Sequence, residues 1–286
     1  MRVTYFGVRG SCPCSSDQHL RYGGNTSCVL VEVDGAPPLI LDLGTGLRAL
    51  GEYLQASSTS EGPVQATALL THLHVDHVIG LPFFAPMRDR GSLLEVHGPS
   101  PAGGSLHDAV AGIVQPPFFP IHMDQFSGTV RFHDLDGHEE ITVGPMEITA
   151  RPVPHIGHTV GYRIEAEGAV VAYVADHQAP PDRRSVDEQV LALCDGADLV
   201  VHDAQYSDQE FEKLPDWGHS TVAYAVHVAA EAGARRLALF HHDPAHSDAE
   251  IDTMLAQAQH LASGPTSLEV SAASEGTTIE LGKAGT

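Results

Sequence analysis

The chain has 286 residues, 15 of them basic and 37 acidic, for a formal net charge of −22. That balance disfavours a long nucleic acid as partner, because affinity for phosphate backbones rests on lysine and arginine, and the absence of any run of ~18 apolar residues excludes a membrane-spanning helix. Four unevenly spaced cysteines (Cys12, Cys14, Cys28 and Cys194) and an opening Met1–Phe6 without signal-peptide character point to reduced thiols in a cytoplasm.

In chain order, residues 28–33 and 39–43 read as paired strands about the turn Asp34-Gly35. The second runs into Asp42-Leu43-Gly44-Thr45-Gly46, and a helix-like stretch follows over 47–56. A polar loop over 57–63 leads to the apolar strand 66–70. The segment 82–140, rich in Pro, Gly and aromatics, reads as an elaborated loop region, either plain surface or a loop that overhangs the site and shapes the substrate pocket. Further apolar strands cover 146–153, 169–175 and 236–240, and another ends in Val200-Val201-His202-Asp203-Ala204-Gln205. Residues 220–233 form a helix with Ser220 or Thr221 near its N-cap and Gly233 at its stop. A second helix opens at Ser247-Asp248-Ala249-Glu250, a capping-box spacing, and runs to about Ala262. With no repeat, low-complexity tract or linker, residues 1–286 are expected to form one domain, alone or as a homodimer.

The chemistry sits where these strands end. Directly after 66–70 comes Thr71-His72-Leu73-His74-Val75-Asp76-His77, three imidazoles and a carboxylate in six residues. Neutral imidazole and carboxylate suit Zn²⁺ or another borderline divalent ion, with Mn²⁺ as an alternative. So short a stretch cannot wrap all four groups around one ion. His72 and His74, sharing a face, go to one, and Asp76 and His77 turn toward a second. The other strands end in Pro154-His155, Asp176-His177 and His241-His242-Asp243-Pro244. Each ligand type at a strand end brings the whole set to one sheet edge, where loops carry function.

These motifs resemble the metallo-β-lactamase-fold hydrolases along nearly the whole chain. His72, His74, Asp76 and His77 meet that family's His-x-His-x-Asp-His motif, while His155, Asp176 and His241 resemble its later positions. The resemblance implies an α/β fold, a four-layer αβ/βα sandwich with a binuclear metal site at one edge of the sheets. It also implies that His72, His74 and His155 hold one metal, Asp76, His77 and His241 the other, and Asp176 bridges. His242 is the alternative to His241, which sits directly on the strand end. In the family's glycine-containing turn, Asp42 braces the loop.

His202-Asp203-Ala204-Gln205 and His219-Ser220-Thr221 resemble the His-Glu-Ala-Thr and His-Ser-Thr motifs of the ribonuclease Z and phosphodiesterase branch, with Asp203 where the family has Glu. A carboxylate beside His219 would fix its tautomer and keep it available as a proton donor. Phosphodiester hydrolysis fits these parts: two metals clamp the phosphoryl oxygens and acidify a water, Asp76 and Asp176 position it, and His219 protonates the leaving alkoxide. The expected function is therefore a binuclear-metal phosphodiesterase acting on a small molecule, a cyclic nucleotide or phosphocholine-type ester. The alternatives are a transfer-RNA 3′-processing endonuclease of the ribonuclease Z type and a thioesterase or lactonase.

Overall fold

The computed structural model describes residues 1–57, 62–264 and 268–282. Residues 58–61 of the expected polar loop lie outside the described residues.

Two seven-stranded sheets face one another. The first contains β1 (Arg2–Gly7), β2 (Cys28–Glu32), β3 (Leu39–Leu41), β4 (Gln65–Leu69), β5 (Leu93–Pro99) and β6 (Thr129–Leu135). The second contains β7 (Glu140–Val143), β8 (Met146–Pro152), β9 (Val160–Ala166), β10 (Ala169–Val174), β11 (Leu199–Asp203), β12 (Arg236–Phe240) and β13 (Glu269–Ala272). The last strand, β14 (Thr278–Glu280), returns to the first sheet, giving the orders β14-β1-β2-β3-β4-β5-β6 and β13-β12-β11-β10-β9-β8-β7. Strands β3 to β6 run parallel, as do β10 to β13, and the remaining pairs are antiparallel.

Helices cover the outer faces: α1 (Leu47–Ser57), α2 (Val75–Val78) and α3 (Leu106–Ile113) on the first sheet's side, α4 (Glu188–Cys194), α5 (Asp208–Phe211), α6 (Val222–Glu231) and α7 (Asp248–Ala262) on the second's. The arrangement is the four-layer αβ/βα sandwich expected from the motifs. Helix caps fall where the sequence marks them. Thr221 accepts from the Tyr224 N–H at the start of α6, and Ser247 and Glu250 close a reciprocal capping box on α7.

The period-two alternation of the strands explains why the layers stack. Val29 and Val31 point between the sheets while Cys28 and Leu30 meet the helices. Ala238 and Phe240 point inward while Leu237 and Leu239 face α6 and α7. Parallel strands covered on both faces are apolar throughout, and each buried Val, Leu, Ile or Phe contributes about 1.5–3 kcal/mol.

The segment 82–140 departs from expectation. It is not one elaborated loop, because it carries β5, β6 and α3. Its Pro and Gly content marks the turns between these elements. Edge strand β6, half-exposed along its length, offers no apolar run for a sequence reading to detect. None of the helices among the described residues is long and apolar enough to cross a membrane.

Candidate metal centre

Four strand ends meet at one edge of the sandwich. After β4 the chain runs extended through His72, and His74 is the N-cap of the one-turn helix α2. That helix start groups Asp76 and His77 with His241, while the His77 ring stays 4.3 Å from that of His72. Asp176 follows β10, His241 follows β12, and His155 lies in the β8–β9 turn.

The structure brings together all seven residues expected to hold metal. The nitrogen and carboxylate oxygen atoms of His72, His74, His155 and Asp176 lie within 4.8 Å of one another, and so do those of Asp76, His77 and His241. Asp176 stands between the two groups. Its Oδ2 is 3.6 Å from His72 Nε2 and 3.5 Å from His155 Nε2. Its Oδ1 is 3.2 Å from His77 Nε2 and 3.1 Å from His241 Nε2. Asp76 Oδ2 lies 3.3 Å from both His77 Nε2 and His241 Nε2.

This set fits divalent cations. His72 Nε2 and Asp176 Oδ1 are buried with no hydrogen-bond partner, a costly condition unless something else satisfies them. The electrostatics ask for positive charge in the same place. Burial opposes ionisation of Asp176, yet His241, His77 and His72 hold its carboxyl well below the usual range. Burial likewise disfavours a charged His77, but Asp42, Asp76 and Asp176 push its pKa well up. His72, by contrast, is pulled well down by burial and by its imidazole neighbours.

The rings are held from behind. Asp42 Oδ2 is 2.8 Å from His77 Nδ1 and accepts from Tyr173 Oη at 2.9 Å, while Asp42 Oδ1 accepts from the Thr71 N–H at 2.8 Å. Gln205 Oε1 meets His241 Nδ1 at 2.9 Å, and the Gly218 carbonyl meets His155 Nδ1 at 2.6 Å. Such partners fix the tautomer and aim the opposite nitrogen at the centre. His242 points elsewhere, its Nε2 3.0 Å from the Ala273 carbonyl.

Two glycines are required by this packing. A Cβ on Gly218, at φ +94°, would sit 2.5 Å from His155 Cε1, and one on Gly10 would sit 2.4 Å from the His241 ring. Gly10 belongs to an N-terminal loop that sequence reasoning missed, whose Ser11 N–H donates to Asp76 Oδ2 at 2.8 Å. Nothing in the local sequence marks its role, since its partners at the centre, Asp76 and His241, lie 65 and more residues away. Gln205 was visible only as part of a varied motif.

The expected dyad is also formed. His219 Nδ1 is 3.0 Å from Asp203 Oδ2, and its ring stacks on His241 with centroids 5.0 Å apart. The shorter Asp side chain therefore reaches. Burial would lower the His219 pKa, but Asp203, with Asp176 and Asp76 behind it, pushes it up to about 9. Cations beside it would act in the opposite direction.

Residues 39–242 match the model of the beta-lactamase superfamily domain, and the chain belongs to that family. It is a hydrolase, and its buried His/Asp cluster is of the kind that holds divalent metal ions. The ribonuclease Z of Natronomonas pharaonis is 27% identical over 84% of this chain and 86% of its own length. That of Haloferax volcanii is 29% identical over 84% of each. Among solved structures, the metallo-beta-lactamase fold protein YhfI from Bacillus subtilis superimposes with a TM-score of 0.70 at 23% identity, covering 97% of this chain and 98% of its own.

These relatives correct one expectation. The −22 charge disfavours a long nucleic acid and favours a small-molecule substrate, yet the curated relatives matched along most of the chain include several ribonucleases Z. Net charge sums the whole surface, whereas binding at a cleft depends on the local potential, in which bound cations are often the largest charges.

Proposed function

We propose that the chain is a binuclear-metal phosphodiesterase that cuts RNA as a transfer-RNA 3′-processing endonuclease of the ribonuclease Z type. The observation that carries this reading is the His219–Asp203 pair set against the seven-residue cluster. His72, His74 and His155 would hold one ion, Asp76, His77 and His241 the other, and Asp176 both, with Zn²⁺ the first candidate and Mn²⁺ the second. Two such ions would polarise the phosphoryl oxygens and make water a better nucleophile at neutral pH.

The chain's own side chains do the rest. Asp76 and Asp176 present carboxylate oxygens that orient the attacking water. Asp203 Oδ2 accepts a hydrogen bond from His219 Nδ1–H, which turns the Nε2 edge outward as donor to the departing alkoxide. Asp203 is itself fixed by the His177 and Gln205 backbone N–H groups at 3.1 and 3.0 Å, so the dyad is rigid. A thiolate leaves without such help, so the dyad favours phosphodiester over thioester hydrolysis. The likeness to two ribonucleases Z over 84% of the chain supports RNA as the substrate.

The test is to load the protein with Zn²⁺ or Mn²⁺ and offer a 3′-extended precursor transfer RNA, a thioester and a lactone. Endonucleolytic release of the 3′ extension is expected. Turnover of the thioester or lactone with the RNA left intact would overturn the proposal.

A further inference from the structure

We propose that the cavity adjoining the candidate metal centre is a nucleobase pocket, in which the Nε2 lone pair of His177 accepts a hydrogen bond from an N–H of the base. The choice of base rests on the phosphodiesterase reading, which makes a nucleotide the substrate.

The cavity measures about 460 Å³, within the range that takes small ligands. His155 forms one wall, so its occupant would lie directly beside the seven-residue cluster. Pro154, Ile156, Pro180, Pro181 and Val186 supply flat apolar surface, and the Tyr224 ring lies 5.5 Å from that of His177. No lysine or arginine lines the cavity among the described residues, while Asp187 and Asp216 do. A phosphate would find no counter-charge there. A flat, uncharged ring whose edge carries N–H donors finds apolar walls and acceptors.

His177 is the acceptor because its tautomer is dictated from behind. His202 Nδ1 lies 2.7 Å from the Asp203 carbonyl oxygen, which can only accept, so this nitrogen carries a proton. His202 is fully buried and its Nε2 lies 3.0 Å from His177 Nδ1. A second proton on His202 would place a buried charge without a counter-ion on that nitrogen. His202 Nε2 therefore accepts and His177 Nδ1 donates. The neutral His177 ring is left with a bare lone pair on Nε2, which has no hydrogen-bond partner among the described residues, and His177 is one of the residues lining the cavity. Neither imidazole has a part in the hydrolytic chemistry above, and two histidines relayed this way leave a directional acceptor at the pocket floor.

Direct titration of the protein with nucleosides, followed by calorimetry or NMR, tests this without any turnover. Adenosine is compared with N6,N6-dimethyladenosine, and uridine with 3-methyluridine, since methylation deletes the donor. At least one parent nucleoside should bind about ten-fold more tightly than its methylated partner, the cost of leaving an acceptor unpaired. His177→Phe keeps the ring shape and should erase that discrimination. Val186→Trp, which fills the cavity from its half-exposed wall, should weaken both members of the pair. Equal binding of the members of both pairs, discrimination that persists in His177→Phe, or no nucleoside binding at all would overturn the pocket. Precursor RNA cleaved without nucleoside binding defeats the pocket alone, and nucleoside bound without RNA cleavage defeats the RNA reading alone.

Discussion

The two halves of the candidate metal centre are built differently. His72, His74 and His155 are backed by neutral groups, the Thr71 hydroxyl 3.1 Å from His72 Nδ1 and the Gly218 carbonyl behind His155, and His74 stands exposed. Asp76, His77 and His241 are all buried, and His77 is backed by the Asp42 carboxylate. A carboxylate behind an imidazole raises its basicity as a ligand, and burial shields the charge interactions from screening. On the proposed ligand assignment, this contrast predicts that the second half would hold its ion more tightly and that the first half would exchange its ion with solution more readily.

Asp176 joins the halves, so its loss should have the largest effect. Asp176→Ala should lower the affinity for both ions together and remove most activity, whereas His155→Ala should weaken only the exposed half. Metal titration of the two variants giving one common pattern would erase the distinction between the halves.

Next in size is the proton donor, whose ring stacks on His241 but which lies outside both proposed ligand sets. His219→Ala should lower turnover by roughly 10²–10⁴-fold, with metal content nearly unchanged. The loss should shrink for a nitrophenyl phosphodiester, whose leaving group departs unprotonated, and Asp203→Asn should show a weaker version. A His219 variant equally impaired on good and poor leaving groups would rule out the acid role.

Asp42→Asn should act on the buried half alone, lowering its metal affinity by about 10–100-fold, the usual worth of such a partner. Asp42 occupies φ +60°, a conformation that Asn tolerates, so the fold should persist and circular dichroism should be native. An equal loss at both halves would show that Asp42 supports the loop rather than the His77 ring. Smallest of all should be His242→Ala, whose side chain faces the Ala273 carbonyl, while His241→Ala costs an ion. The reverse ranking in metal content would exchange their roles.

The proposed ligands were legible because each directly follows a short apolar strand, and strands such as 236–240 carry no competing signal. Asp42 was legible as a brace only through its turn. What could not be read is long-range: Ser11 reaching Asp76, Gln205 reaching His241, and the His177–His202 relay across neighbouring strands. Periodicity reports which face a residue occupies, never which distant side chain it meets there. Edge strand β6 was lost among Pro and Gly turns for the related reason that an edge strand needs no apolar pattern. Inferring the partner from net charge failed because a sum over the surface carries no positional information.

The N-terminal loop has a consequence for how the enzyme is made. Val8 accepts from the His242 N–H and Gly10 donates to the His242 carbonyl, so the first strand's exit is stitched to the strand end that carries His241. Contacts of such sequence separation form late and slowly. As the ribosome delivers the chain, residues 72–77 emerge long before β12 exists, and they wait with an incomplete set of ligands. Maturation of the centre is therefore a closing event of biosynthesis. A nascent or C-terminally truncated chain that stops short of residue 241 would display histidines able to scavenge metal without yielding an active site.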